Sequence, residues 1–254
     1  MRRMRHLKPR EIQGCDLAFQ FWRPETLYDA TTGGSLVGAG GSIARAEDVS
    51  GNGNHATQAT SGDRPTRQVA ARNGLDAARF DGSSDYLNAG DAGDILDKPV
   101  EMFVSFIRTG SAGPKGIFSK SRAAALNGRW GVINNSGSDA GLIAVSSGNL
   151  VSISASTALQ LIHLHRETGT NIGAKISRNS GAETTGITQT DAGSLDIADP
   201  VLIGSYGDSS GNPSFANSFL GGDILECAKW STEMGSHVRK RQQHATMRRA
   251  RIAS

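Results

Sequence analysis

The chain has 254 residues, of which 37% are apolar, 6% aromatic and 32 are glycine, with a formal net charge of +3. So much glycine with so few aromatics argues against a helical protein and for many short strands joined by turns, and all-β sandwiches reach this length as one unit. Apolar runs stop at four or five residues, too short to cross a bilayer or form a secretory leader, so membrane insertion is not expected; the two cysteines, Cys15 and Cys227, form no metal-spaced pair and read as reduced, buried thiols.

In chain order, residues 1–14 show no periodicity and read as a basic arm. Residues 15–22 alternate, with Leu17, Phe19 and Phe21 on one face and Ala18, Gln20 and Trp22 on the other, which predicts a half-buried strand ended by Pro24. A Gly/Ser/Thr-rich loop fills 29–42. Asp48-Val-Ser-Gly-Asn-Gly-Asn-His55 is a turn block in which Gly51 and Gly53 suit positive φ. Short strands are predicted at 55–60 and 75–80, and Arg79-Phe-Asp-Gly-Ser-Ser-Asp-Tyr-Leu87 reads as strand, tight loop, strand. The strongest strand is 100–109, with Met102, Val104 and Phe106 on one face and Phe103, Ser105 and Ile107 on the other. Further strands are predicted at 116–120, 129–134, 141–146, 150–154, 159–166, 171–178, 201–206 and 219–230, most of them 8–12 residues apart, a spacing that fits two packed sheets. Only the end reads as helix, capped by Ser231 or Thr232, with Glu233 in its first turn, running to about Arg249 on a thin stripe of Met234, Val238 and Ala245. The expected organisation is a basic arm (1–14), one sandwich domain (15–230) and a basic helix or tail (231–254).

The charge is uneven. Arg2, Arg3, Arg5, Lys8 and Arg10 lie in the first ten residues, and six more basic side chains, including Arg248, Arg249 and Arg251, lie in 239–254; neither segment has an acidic residue. Removing those eleven leaves 16 basic against 24 acidic side chains in 11–238, a net charge of −8. Basic ends on an acidic body suit anchoring to an acidic protein surface, with solvated tails as the plain alternative. Nucleic acid is disfavoured as a partner, because no aromatic side chain interleaves either tail to stack on bases.

The Asp48–His55 and Arg79–Leu87 blocks together resemble the paired signature of the laminin-G-like, concanavalin A-like jelly roll, (Asp)-x-Ser-Gly-Asn-Gly-x-His followed by Phe-Asp-Gly-x-x-Asp-Tyr-Leu. The likeness runs over about 15–235 and ends at Phe219-Leu-Gly-Gly-Asp-Ile-Leu-Glu226. With Pro9-Arg-Glu-Ile-Gln-Gly-Cys15 leading into the first strand, the arrangement looks most like modules of tailed-phage and prophage virion proteins. The resemblance implies an all-β fold, a two-sheet antiparallel jelly-roll sandwich with a short C-terminal helix. It also implies a non-enzymatic virion structural protein, assembled in the bacterial cytoplasm and held to other virion proteins, and to copies of itself, by its basic ends. The alternative is a glycan-binding adhesin or receptor-binding module that takes host surface glycan; a glucanase-like glycosidase stands third. In this fold the first and last strands commonly pair antiparallel, which would bring Cys15 near Cys227.

Four kinds of site are weighed. Asp29, Asp48, Asn52, Asn54, Asp81 and Asp85 supply the oxygens that Ca²⁺ prefers, making calcium the one candidate cofactor, but the same residue types build tight turns. A jelly-roll glucanase needs Glu-x-Asp-x-x-Glu on one strand, and no Glu-x-Asp occurs; Asp223 and Glu226, three apart, would face opposite sides of a regular strand. His163 and His165 alternate onto one strand face as a zinc pair would, with Glu167 the next candidate ligand, although exposed or hydrogen-bonded histidines are the simpler reading. For glycan binding the candidates are Trp130, Tyr206, Asp208 and Asn212, with burial the competing fate of each tryptophan. No catalytic set emerges, so no enzyme is expected.

Overall fold

Alternating apolar side chains drive much of this chain into strands. The computed structural model describes residues 13–93, 99–109, 115–120, 129–135, 138–144, 150–154, 156–167, 172–189, 199–207 and 218–250. In chain order they hold β1 (Cys15–Gln20), β2 (Leu27–Tyr28), β3 (Arg45–Ala46), β4 (Ala56–Thr57), β5 (Thr66–Arg72), β6 (Leu75–Asp81), β7 (Leu87–Asn88), β8 (Val100–Arg108), β9 (Lys115–Lys120), β10 (Arg129–Asn135), β11 (Ser138–Ala144), β12 (Leu150–Ser154), β13 (Gln160–Arg166), β14 (Ile172–Arg178), β15 (Thr184–Gln189), β16 (Val201–Ile203) and β17 (Gly221–Trp230), then helix α1 (Ser236–Ala250). The strands make two antiparallel sheets. One runs β15-β14-β13-β8-β17-β6-β5, with β1 also on β17; the other runs β12-β11-β10-β9-β16-β7-β4-β3-β2. The expected all-β sandwich with one C-terminal helix is the observed fold.

The main core lies between the sheets and includes Leu17, Phe19, Phe80, Phe106, Phe118, Trp130, Ile162 and Ile224. A second apolar cluster, Ala18, Phe103, Leu161, Ala228, Trp230, Met234 and Met247, sits on the outer face of the first sheet beneath α1. That double cover explains why every residue of β8 is buried: Met102, Val104 and Phe106 point into the main core while Phe103 points under the helix.

Strand β17 organises the first sheet. Its one edge pairs with β8 from Gly222↔Arg108 to Trp230↔Glu101. Its other edge is shared end to end by β6, from Gly221↔Asp81 to Ile224↔Ala78, and β1, from Gln20↔Glu226 to Cys15↔Trp230. The first and last strands do pair, but the register sets Cys227 against Phe19 and Cys15 against Trp230, so the two cysteines are not opposite one another. Both thiols are free, and burial pushes both well above the usual cysteine range. A bulge between Ile224 and Glu226 corrects the expected geometry of the two carboxylates. Ile224 and Cys227 both face the main core, so the extra residue turns Asp223 and Glu226 to the same outer side. There Asp223 pairs with Arg79 (2.8 Å) and Glu226 with Arg249 (2.8 Å).

The helix differs from expectation in two ways. It begins at Ser236, after Ser231, Thr232 and Glu233. Its thin apolar stripe is supplemented by charge: Arg239 pairs with buried Glu101, and Arg249 binds Glu226 while lying 5.2 Å over the Trp22 ring, whose indole N–H also donates to Glu226 (3.1 Å). Arg249, expected to anchor a partner, is therefore an internal docking residue, whereas Arg248 is exposed. Arg2, Arg3, Arg5, Lys8, Arg10 and Arg251 lie outside the described residues.

Candidate functional site

The two turn blocks flank one surface groove, and each is built by carboxylates that cap backbone N–H groups. Asp48 is buried. Its Oδ1 accepts from the N–H of Ala18 (3.0 Å) and Ser50 (2.9 Å), and its Oδ2 from the Ser50 hydroxyl (2.7 Å) and the Asn54 N–H (3.1 Å). The Asn52 side-chain amide donates to the carbonyls of Cys15 (2.8 Å) and Asp16 (3.0 Å), and that of Asn54 to Asp16 (3.4 Å). This buckle ties the loop to β1, and it needs φ of 103° at Gly51 and 78° at Gly53, values natural to glycine. In the second block Asp81 Oδ1 accepts from the N–H of Ser83, Ser84 and Asp85, while Asp85 Oδ2 accepts from the Asp81 N–H (2.9 Å). Burial and the nearby Asp81 charge push the Asp85 carboxyl up to about 6; at Asp81 burial raises the carboxyl, but the backbone N–H groups outweigh it and hold it below the usual range.

The six oxygen-bearing residues weighed for calcium thus fall into separate turns. Asp29 is exposed and caps the Ser35 N–H (2.7 Å). Among the described residues, Asp29, Asp48, Asp81 and Asp85 do not converge as a cluster of ligand atoms. Their oxygens serve turn geometry.

Between the blocks lies an open groove of about 720 Å³. Asn54 and His55 come from the first block, Thr57, Gln58 and Thr60 from β4 and the segment after it, Tyr86 from the second block, and Asn88 and Asp91 from β7 and its exit. Among the described residues, no lysine or arginine lines it. Asp91 is neutralised by the buried Lys120 ammonium at 2.5 Å. Gln58 Oε1 accepts the Thr60 N–H (2.9 Å), but Gln58 Nε2, buried, has no hydrogen-bond partner. His55 is exposed, and its Nδ1 accepts the Asp48 N–H (3.1 Å), which leaves Nε2 for a ligand. The Tyr86 ring is half-buried, 6.4 Å from that of Phe219.

The groove is not where the sequence placed glycan recognition. Trp130 is fully buried, its indole N–H donating to the Gly93 carbonyl (2.7 Å) and its ring edge-on to Phe118, so it has no free face for a sugar. Tyr206 is half-buried, its hydroxyl pushed up by burial, and does not line the groove. Asp208 and Asn212 lie outside the described residues. His55, Gln58, Tyr86 and Asn88 were missed, although all lie at or just beyond the two turn blocks; the blocks were read for the fold they signal and not for the surface they shape.

No family model and no curated protein matches the sequence. Solved structures do. A GH54 α-L-arabinofuranosidase soaked with a cyclic sulfate inhibitor aligns at a TM-score of 0.56 and 15% identity, covering 80% of this chain and 50% of that one. Trypanosoma rangeli sialidase in complex with sialic acid aligns at 0.56 and 10%, over 92% of this chain and 33% of that one. Domain 4 of AbnA, a GH43 extracellular arabinanase from Geobacillus stearothermophilus, in complex with arabinotriose, aligns at 0.53 and 13%, over 91% of this chain and 97% of the domain. The chain thus spans about half the first structure and a third of the second. None of the three is a phage protein. Their origin in glycoside hydrolases and a sialidase overturns the expectation that an enzyme is excluded. At such low identity the likeness speaks for the fold: the chain is a two-sheet β-sandwich of a kind found in carbohydrate-active proteins.

Proposed function

We propose that this chain binds glycan in the groove between its two turn blocks. The observation that carries the reading is the groove's lining: open, free of cationic side chains among the described residues, and formed by amides, threonines, an imidazole, one tyrosine ring and the Lys120-paired Asp91. Sugar hydroxyls pair with fixed amide donors and acceptors, and the C–H face of a pyranose or furanose packs on an aromatic ring. The unpartnered Gln58 Nε2 adds a donor that a ligand oxygen could satisfy. The AbnA domain, which shares the fold over nearly its whole length, was solved with arabinotriose; that supports a sugar ligand here without fixing which. With no lysine or arginine among the described lining residues, neutral oligosaccharides should be preferred over a sialic acid carboxylate. A place on a phage or phage-like particle, as an adhesin, is the narrower form of the proposal, and its support is the motif resemblance alone.

A glycan array followed by calorimetry tests the reading. We expect millimolar to micromolar binding of a neutral oligosaccharide, weakened tenfold or more, about 1.4 kcal/mol, by Tyr86→Ala or Asn88→Ala. Binding that survives both substitutions, or no binding to any glycan, would sink it.

A further inference from the structure

We propose that Glu101, His163 and His165 form a binding site for a divalent transition-metal ion, with zinc the ion their chemistry suits. Antiparallel pairing of β8 with β13 sets Glu101 opposite His165 and Phe103 opposite His163. The two-residue period of β13 then brings both imidazoles to one face beside one carboxylate. All three side chains are at most 2% exposed, and their ligand atoms lie within 4.8 Å of one another. Glu101 Oε2 is 2.7 Å from His163 Nε2.

Two independent observations point to a missing ligand. Neither ring nitrogen of His165 has a hydrogen-bond partner, and neither does Nδ1 of His163. Three orphaned nitrogens in one buried place are costly, because each has lost water without replacement. The second observation is that Glu101 is already held from behind: the Met234 N–H donates to its Oε1 and Arg239 reaches both carboxylate oxygens, while Oε2 also faces His163 Nε2 at 2.7 Å. Ligating carboxylates and imidazoles are commonly fixed by just such outer contacts. Glu183 Oε1, 3.7 Å from His165 Nδ1 on an exposed turn, can supply a fourth ligand.

Neutral imidazole nitrogens with one or two carboxylates favour zinc over calcium or magnesium, which take oxygen. Around an ion at about 2.1 Å, tetrahedral ligand atoms stand roughly 3.4 Å apart, against a span of up to 4.8 Å here, so the ligand atoms must draw together. The Phe103–His163–His165 stack, with centroids 4.6 and 4.8 Å apart, holds the two imidazoles side by side, and taking up an ion requires them to turn out of that parallel stack so that their in-plane nitrogen lone pairs converge. The site lies under α1 on the outer face of the first sheet, and its residues take no part in the groove. An ion there would join β8 and β13 to the helix through Glu101 and Arg239.

The full chain, stripped with chelator, should take up one Co²⁺ with visible d–d absorption, displaced by one Zn²⁺. At one equivalent of zinc, nitrogen-15 spectra should show the ring signals of His163 and His165 shifted and those of His55, His237 and His244 unmoved. His165→Ala keeps the Glu101–His163–Arg239 contacts and should lower zinc affinity about tenfold or more. An absent d–d band, unmoved His163 and His165 signals in the wild-type chain, or unchanged affinity in His165→Ala would each overturn the assignment.

Discussion

Single residues carry more of this fold's specificity than their exposure suggests. Asp85 is the clearest. Its carboxyl is pushed up to about 6 by burial, Asp81 and Asp63, against about 3.9 in an unfolded chain. The folded state therefore holds this proton more tightly, so the group's contribution to stability is full below about pH 4 and is lost as pH rises through 6. In urea titrations, the stability of wild type minus that of Asp85→Asn should fall between pH 4 and 7; a difference that stays flat would show that Asp85 titrates normally. Gly51 and Gly53 give a second prediction. An added Cβ at either would meet nothing within 4 Å, so Gly51→Val or Gly53→Val tests backbone strain alone, expected to cost about 1–3 kcal/mol. Gly62→Ala, also in open space but without positive φ, should change stability by less than about 0.5 kcal/mol; equal melting temperatures for all three would refute the strain. These turn residues were legible because Asp-x-x-Gly spacing has a local cause. Trp130 was ambiguous, because a tryptophan in a strand pattern reads alike whether it faces a core or a ligand.

At the level of elements, legibility followed burial. The strand β8, buried along its whole length, stood out in sequence, whereas β5 and β15 did not. Both lie at sheet edges, and Thr66–Arg72 carries two arginines and a glutamine, the polar content that blunts an edge and hides it from a hydrophobic pattern. The helix was visible, but its manner of docking was not, since a bulge in β17 and not a heptad stripe decides which side chains it meets. Removing Arg249 leaves the buried Glu226 carboxylate with only the neutral donors Trp22 and Thr246 and no cation, so Arg249→Ala should destabilise by about 3 kcal/mol. Exposed Arg248→Ala should move stability by less than about 0.5 kcal/mol. Chemical denaturation of the two variants separates them, and similar losses would mean that α1 is not held by the Glu226 pair.

At the scale of the molecule, the sandwich was legible and the location of its groove was not, because the groove is assembled from two blocks that sequence alone does not bring side by side. The outer apolar cluster gives one further expectation: a chain lacking 236–254 should keep its strand signal in circular dichroism yet bind a hydrophobic dye through uncovered Phe103, Leu161 and Trp230; a silent dye would show the helix is dispensable cover. Strand β17 also sets the order of events during synthesis. It lies between β8 and the end-to-end pair of β1 and β6, and Trp22 waits 204 positions for Glu226. Until the ribosome has released residues 221–230, β8 and β1 each have an open edge, and such nascent chains are slow to fold and prone to sticking. Chaperone demand should therefore persist until residues 221–230 have emerged, and released chains truncated before 221 should be digested by protease where released chains ending beyond 230 resist it.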